Sequence, residues 1–111
     1  MSSKTRNDAL SGSLTLLVLK TLALGEMHGY AVASRIQQMS SDLLRVEEGS
    51  LYPALHRMEQ DGWISSRWGL TESNRKARFY TLTKTGQQQL EQELESWRRI
   101  TLGVSLVLEA V

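Results

Sequence analysis

The chain has 111 residues, of which 41% are hydrophobic and 23% are charged, and these are the proportions of a globular protein with a single core. It contains no cysteine, which excludes disulfides, thiolate metal sites and a cysteine nucleophile, and favours a reducing, cytoplasmic location. The formal net charge is +1, and the longest apolar run, Leu14 to Gly25, is shorter than the ~20 residues of a membrane span, so no membrane contact is expected.

The first segment with helical character follows a polar stretch. Residues 1–12 show no apolar periodicity and predict a flexible N-terminal arm. Residues from about 13 to 24 are mostly leucine and valine and stop at Gly25, which predicts a helix that is buried on more than one side. Since a domain this small cannot cover such a helix completely, Leu14 and Leu17 are expected to contact a second copy of the chain.

Two amphipathic helices are expected between residues 28 and 62, separated by polar residues 40–42. The apolar positions of the first are Val32, Ile36 and Met39. The second begins near Ser50 and repeats that spacing at Leu51, Leu55 and Met58. Pro53 falls in its first turn, where a missing N–H group costs nothing, and Gly62 ends it.

From Trp63 the apolar period changes to about 2, which predicts strands at residues 63–70 and 76–82, joined by a turn at residues 72–75. Thr83 or Thr85 then caps a long final helix. This order predicts an α+β, mainly helical fold. It is a winged helix-turn-helix of three helices and a β-hairpin wing over residues 13–84, followed by a long C-terminal dimerisation helix over residues 85–111.

The third helix has the features of a DNA-recognition helix. Its outward face is neutral to basic and consists of Pro53, His56, Arg57 and Gln60. The hydroxyls of Ser50 and Tyr52 can donate to phosphate oxygens, and Tyr52 and Pro53 present flat surface to a thymine methyl or a sugar. The second helix of a helix-turn-helix enters the major groove by its N-terminal end.

Other interpretations of this helix remain open. Ser50 can be only an N-cap, Pro53 only a good first-turn residue, and the outward side chains only a solvated face. The helix N-terminus favours phosphate, but Glu47 and Glu48 just ahead of it repel phosphate unless they turn away or cap the helix.

The hairpin concentrates positive charge. Five basic residues and one acidic residue lie between Trp63 and Gly86, a local net charge of +4. A turn that carries Arg75 and Lys76 is expected to follow the DNA backbone or to enter the adjacent minor groove, where the negative potential is enhanced. The alternative is a basic hairpin that only keeps the protein soluble.

At these residues the sequence resembles the PadR family of bacterial transcriptional regulators, winged-helix repressors that act as dimers. Three segments are similar to the main blocks of that family, in the same order: LVLKTLALGEMHGYAVASRI, VEEGSLYPALHRMEQDGWI and RKARFYTLTKTG. The resemblance covers about residues 14–90, and the short remainder is typical of compact members. It implies double-stranded DNA as a partner, contacted by Tyr30, Ser50, Tyr52 and Pro53, and by Lys76 and Arg78 in the wing. For Tyr30, a ring packed at the start of the second helix is the alternative.

The last helix carries an apolar seam. Its apolar or small positions recur in alternating steps of four and three: Leu90, Leu94, Trp97, Thr101, Val104, Leu108 and Val111. A helix of ~43 Å, at ~1.5 Å per residue, exceeds what the small body can cover. A homodimer is therefore expected, with two recognition helices ~34 Å apart on one face of DNA; a helix folded back on its own body is the alternative.

Trp97 is large for a seam position. Bulky rings can keep neighbouring helices apart and leave an apolar space for a small planar aromatic effector, whereas ordinary interface packing is the more frequent role of tryptophan. The resemblance adds that PadR-like regulators are often released from DNA by small aromatic compounds.

The expected function is therefore a DNA-binding transcriptional regulator, a repressor that binds a palindromic operator as a homodimer. A winged-helix adaptor that contacts only proteins is the alternative. An enzyme, a metal site and a cofactor are not expected. His28 and His56 are the only histidines, and neither has a second ligand at the spacing of a metal site. The segment EEGSLYP lacks the G-x-S-x-G pattern that surrounds a nucleophilic serine.

Overall fold

A computed structural model describes the backbone of residues 2–111 and the side chains of residues 13–111. Its elements are α1 (Ser2–Ala23), β1 (Met27–His28), α2 (Gly29–Met39), α3 (Glu48–Gln60), β2 (Ile64–Leu70), β3 (Lys76–Leu82) and α4 (Lys84–Leu108). The predicted order of three helices, a hairpin and a long last helix is confirmed. The fold is a mainly helical winged helix with a C-terminal helix.

Helix α1 begins at Ser2 and not near Ser13. The backbone of residues 2–12 is therefore helical, where a flexible arm ahead of the helix was expected, and Met1 lies outside the described residues. Apolar periodicity locates only the part of a helix that is buried. The polar segment contains no proline and a single glycine, Gly12, which costs only about 1 kcal/mol relative to alanine inside a helix.

Helix α3 begins two residues earlier than predicted, with Glu47 as an N-cap that makes no side-chain hydrogen bond to the helix. Ser50 is therefore inside the first turn, and its own N–H donates to the Glu47 carbonyl at 3.0 Å. Pro53 is in the second turn rather than the first. The proline removes the hydrogen bond that the Gly49 carbonyl would accept. Both residues are exposed, so water can take the place of that donor.

The core lies where α1, α2 and α3 meet the inner end of the hairpin. Its buried hydrophobic residues are Leu14, Val18, Leu19, Leu22, Val32, Ile36, Leu51, Ala54, Leu55, Met58, Ile64, Tyr80 and Leu90. Leu14 and Leu90, which were predicted at a dimer interface, are only 4% and 3% exposed. They belong to the core of this chain because α1 packs against α4 of the same chain.

The sheet has the antiparallel order β1-β3-β2. The predicted hairpin is confirmed, with Ile64 opposite Leu82 and Leu70 opposite Lys76. Its turn is closed by the Thr71 N–H, which donates to the Arg75 carbonyl at 2.8 Å. Strand β1 was not predicted, because two residues are too few to show an apolar period.

Thr83 joins the start of α4 to the end of α3. Its hydroxyl accepts a hydrogen bond from the Gly86 N–H at 3.0 Å and donates one to the Gly62 carbonyl at 2.6 Å. Thr83, and not Thr85, is therefore the N-cap. A Cβ at Gly86 would overlap the carbonyl oxygen of Trp63, so glycine permits this close approach. No helix in the described part of the chain is long and apolar enough to cross a bilayer.

Candidate nucleic-acid interface

A groove of about 1050 Å³ separates the N-terminal ends of α2 and α3 from the hairpin. It brings together five of the sequence-predicted DNA-binding residues, which are Tyr30, Tyr52, Arg75, Lys76 and Arg78. The other four lie on the exposed face of α3, outside the groove lining: Ser50, Pro53, His56 and Arg57. No group of three metal-ligating side chains occurs within the described residues. The groove offers hydroxyls, aromatic rings and cations, together with the carboxylates of Glu26 and Glu72.

The Tyr52 ring lies directly against Gly29. A Cβ at position 29 would come within 2.8 Å of Tyr52 Cε1 and 3.0 Å of the Tyr52 hydroxyl oxygen, so only glycine leaves room for this ring. Burial raises the pKa of the Tyr52 hydroxyl, and the Glu48 carboxylate raises it further. The hydroxyl is thus protonated at neutral pH and can donate a hydrogen bond. The sequence identified Gly29 only as the start of a helix, and gave no sign that the Tyr52 ring packs against it.

Tyr30 is exposed on the first turn of α2 and does not pack into the body. Its ring stacks on His28, with the ring centroids 6.5 Å apart and the planes 17° apart. His28 is itself fixed from two sides. Its Nδ1 accepts a hydrogen bond from the Ala31 N–H at 3.3 Å, and its ring meets Phe79 edge-on at 5.5 Å. His28 is therefore the N-cap of α2 and a support for Tyr30.

The two faces of the hairpin carry different charges. Side chains alternate between the faces of a strand, and the register pairs Trp68 with Arg78, so Trp68, Lys76 and Arg78 share one face. The Lys76 ammonium lies 5.9 Å and the Arg78 guanidinium 5.3 Å from the centre of the Trp68 ring. This is the cationic face of the hairpin.

Arg67 lies on the opposite face and is neutralised by Glu26. The two make a bidentate pair with N···O distances of 2.6 and 2.9 Å, and the Thr81 hydroxyl donates to the same carboxylate at 3.0 Å. The hydrogen bonds from Arg67 lower the pKa of Glu26. The local charge of +4 counted from the sequence treated Arg67 as a free cation. The structure adds that Glu26, which lies outside the counted segment, pairs with this one of the five cations.

The seam of α4 divides into a covered part and an uncovered part. Leu17 on α1 and Leu94 on α4 are partly buried against the core of the same chain. Beyond Leu94 the seam is exposed, at Trp97, Thr101, Val104 and Leu108. The alternative of a helix that folds back on its own body therefore fits the first turns of α4 and not its second half.

Comparison with known proteins gives a consistent set of matches. The transcriptional regulator PadR-like family matches residues 18–92. The transcriptional regulator Rv3488 of Mycobacterium tuberculosis is 35% identical over 94 residues, which cover 82% of this chain and 84% of that protein.

Solved structures are similar along most of the chain. A PadR-like transcriptional regulator from Bacillus cereus superposes with a TM-score of 0.79 at 27% identity, over 94% of this chain and 99% of that one. PadR of Bacillus subtilis, solved in complex with operator DNA, has a TM-score of 0.65 at 27% identity. That match covers 73% of this chain and 46% of the Bacillus subtilis chain.

Proposed function

Because the chain belongs to the PadR-like family of transcriptional regulators, and is thereby a DNA-binding regulator, we propose that it represses transcription by binding a palindromic operator as a homodimer. The proposal rests on the groove, which Tyr30 and Tyr52 line together with Lys76 and Arg78 of the cationic face. The Bacillus subtilis PadR structure in complex with operator DNA supports double-stranded DNA as the partner.

The N-terminal end of α3 is proposed to read bases in the major groove. Ser50 and Tyr52 place two hydroxyls there, and Pro53 adds a flat apolar surface. Glu47 and Glu48 are exposed at the same end, and their charge disfavours a phosphate. Carboxylates accept hydrogen bonds from the amino group of cytosine, so base edges suit this end of the helix better than the DNA backbone does.

The second half of α4 is proposed to bind a second copy of the chain. Its exposed hydrophobic residues are Trp97, Ile100, Leu102, Val104, Leu106, Val107 and Leu108, and no charged residue lies between Ile100 and Leu108. Contiguous apolar surface of this kind marks an interaction site on a soluble domain. Two copies joined along the uncovered seam would present two recognition helices to a palindrome.

Salt dependence of DNA binding tests this function. Replacing Lys76 or Arg78 by alanine is expected to weaken binding to all duplexes and to reduce the salt slope by about one unit for each phosphate that the variant no longer neutralises. The measurement is a gel shift of a duplex selected from a random pool, repeated at several salt concentrations. Lys20→Ala, which removes an exposed cation from α1, is the control.

The outcomes separate the candidate functions. If both wing variants keep the salt slope of the wild type, the wing does not contact DNA phosphates. A wild-type protein that gives no salt-dependent gel shift with any selected duplex would be the adaptor that contacts only proteins.

We also propose that a small planar aromatic compound binds next to Trp97. This ring is half-exposed on the uncovered seam, where two copies related by the dimer axis would bring two tryptophans close together. A panel of planar aromatic compounds is expected to quench tryptophan fluorescence saturably in the wild type and not in Trp97→Leu, and to lower DNA affinity. Equal quenching in both proteins, or none, would identify Trp97 as interface packing.

A further inference from the structure

Two large apolar side chains are exposed on the wing without a partner in the core. Trp68 is 59% exposed and Leu70 is 64% exposed, and both lie in the outer half of β2. Neither residue was among the DNA-binding residues predicted from the sequence. Exposing apolar surface costs about 25 cal/mol per Å² relative to burying it. A partner that covers these two side chains would therefore gain binding free energy.

The position of the pair relative to α3 is fixed by the register of the hairpin. Trp68 is opposite Arg78 and Leu70 is opposite Lys76, which places all four side chains on the cationic face. At the inner end of the same face, Ile64 and Tyr80 are buried in the core beside α3. Trp68 and Leu70 therefore extend outward from the core-facing side of the wing and line the same groove as Tyr52.

The chemistry of this face matches the backbone of a duplex. The Lys76 ammonium and the Arg78 guanidinium, both on β3, lie over the Trp68 ring at 5.9 and 5.3 Å from its centre, so apolar surface and two cations lie side by side. A minor groove offers the complementary pattern, with deoxyribose surfaces bordered by phosphates. Proteins that bind the minor groove often place apolar side chains there beside arginine and lysine. An apolar protein partner would leave the two cations desolvated and unpaired, which is costly.

We propose that Trp68 is a DNA-contacting residue, whose ring lies against deoxyribose in the minor groove next to the major groove that α3 enters. Leu70 extends this apolar contact, while Lys76 and Arg78 on the neighbouring strand pair with phosphates beside it. This inference rests on the proposed function. Its distinctive consequence is that part of the affinity of the wing is independent of salt, because the ring carries no charge.

Affinity and salt slope together test the inference. Trp68→Ala is expected to weaken binding to a selected duplex by about tenfold or more while leaving the salt slope unchanged, whereas Arg78→Ala reduces the slope. Trp68→Phe, which keeps an aromatic ring, is expected to retain most of the affinity. Leu43→Ala is the matched control, because Leu43 is an exposed hydrophobic residue between α2 and α3 and does not line the groove.

Contact itself is measured with the native residue in place. The difference in fluorescence between the wild type and Trp68→Phe isolates the emission of Trp68, and acrylamide, a neutral quencher, reports its exposure. Bound duplex is expected to reduce acrylamide access to Trp68 by about half or more, since stacking covers one face of the ring. This measurement remains valid even if Trp68→Ala does not fold.

Each other outcome overturns the inference. Wild-type affinity in Trp68→Ala, or unchanged acrylamide access in a saturated complex, would show that Trp68 does not touch DNA. A loss of affinity with unchanged acrylamide access would mean that Trp68 acts only by holding Lys76 and Arg78. A protein that binds no selected duplex would refute the proposed function as well, whereas a protein that binds normally without Trp68 would refute only this inference.

Discussion

Replacing Val104 and Leu108 together by glutamate is expected to give a monomer and to lower the affinity for a palindromic operator by about a hundredfold or more. The two residues are 51% and 78% exposed in the single chain, so folding of the body does not require them. In a dimer joined along the seam, each added carboxylate would be buried in the apolar interface. Burying an unpaired charge is costly, and the second copy would dissociate.

Light scattering after size-exclusion chromatography measures the mass, and binding to a palindrome and to a single half-site separates avidity from recognition. The half-site affinity of the double variant is expected to equal that of the wild type. The control is the double variant Gln88→Glu and Gln92→Glu, which adds the same charge to exposed positions on the opposite side of α4. A Val104 and Leu108 variant that stays dimeric, or a monomer that binds the palindrome normally, would contradict the proposed interface.

Tyr52→Ala and Ser50→Ala are each expected to weaken specific DNA binding by on the order of 1 to 3 kcal/mol while leaving the melting temperature nearly unchanged. Both side chains are exposed, so neither is part of the core. Gly29→Ala is expected to weaken binding as Tyr52→Ala does, because its methyl group would displace the Tyr52 ring. Alanine favours a helix more than glycine does, so the loss of affinity in Gly29→Ala would come from the displaced Tyr52 ring and not from a weaker helix.

These three variants are compared by gel shift and by thermal melting followed by circular dichroism. Tyr52→Phe separates the hydroxyl of Tyr52 from its ring, and Gln38→Ala, on an exposed site of α2, is the control. If helicity and melting temperature fall together with affinity, these residues support the fold and the assignment to DNA recognition is incorrect.

The features that the sequence predicted are those that repeat within one element. Leu51, Leu55 and Met58 fixed both the buried side of α3 and, by exclusion, its exposed side. The alternation in β2 and β3 predicted the hairpin and its turn in the same way. Such patterns depend only on the geometry of the local backbone, so no knowledge of the rest of the chain is needed.

The features that the sequence missed depend on contacts between distant segments. Glu26 and Arg67 are 41 residues apart, and neither lies in a motif that indicates its partner. Gly29 and Tyr52 similarly meet across two helices. For the same reason, the apolar pattern of α4 could not distinguish Leu90, which is buried in the core of its own chain, from the exposed Val104. An apolar stripe on a helix shows that something covers it, but not which chain does so.

The fixed junction at Thr83 determines how a signal at α4 would reach the DNA. The backbone N–H of Thr83 donates to the Trp63 carbonyl at 3.1 Å, and its hydroxyl bonds to Gly62 and Gly86 on either side of the junction. The start of α4 is thus hydrogen-bonded directly to the residues that end α3, and we expect a tilt of α4 to turn α3 with it. In a dimer, the angle at which two α4 helices cross would then set the distance between the two recognition helices. A ligand that wedges the helices apart would thus mismatch the protein to its operator without touching α3.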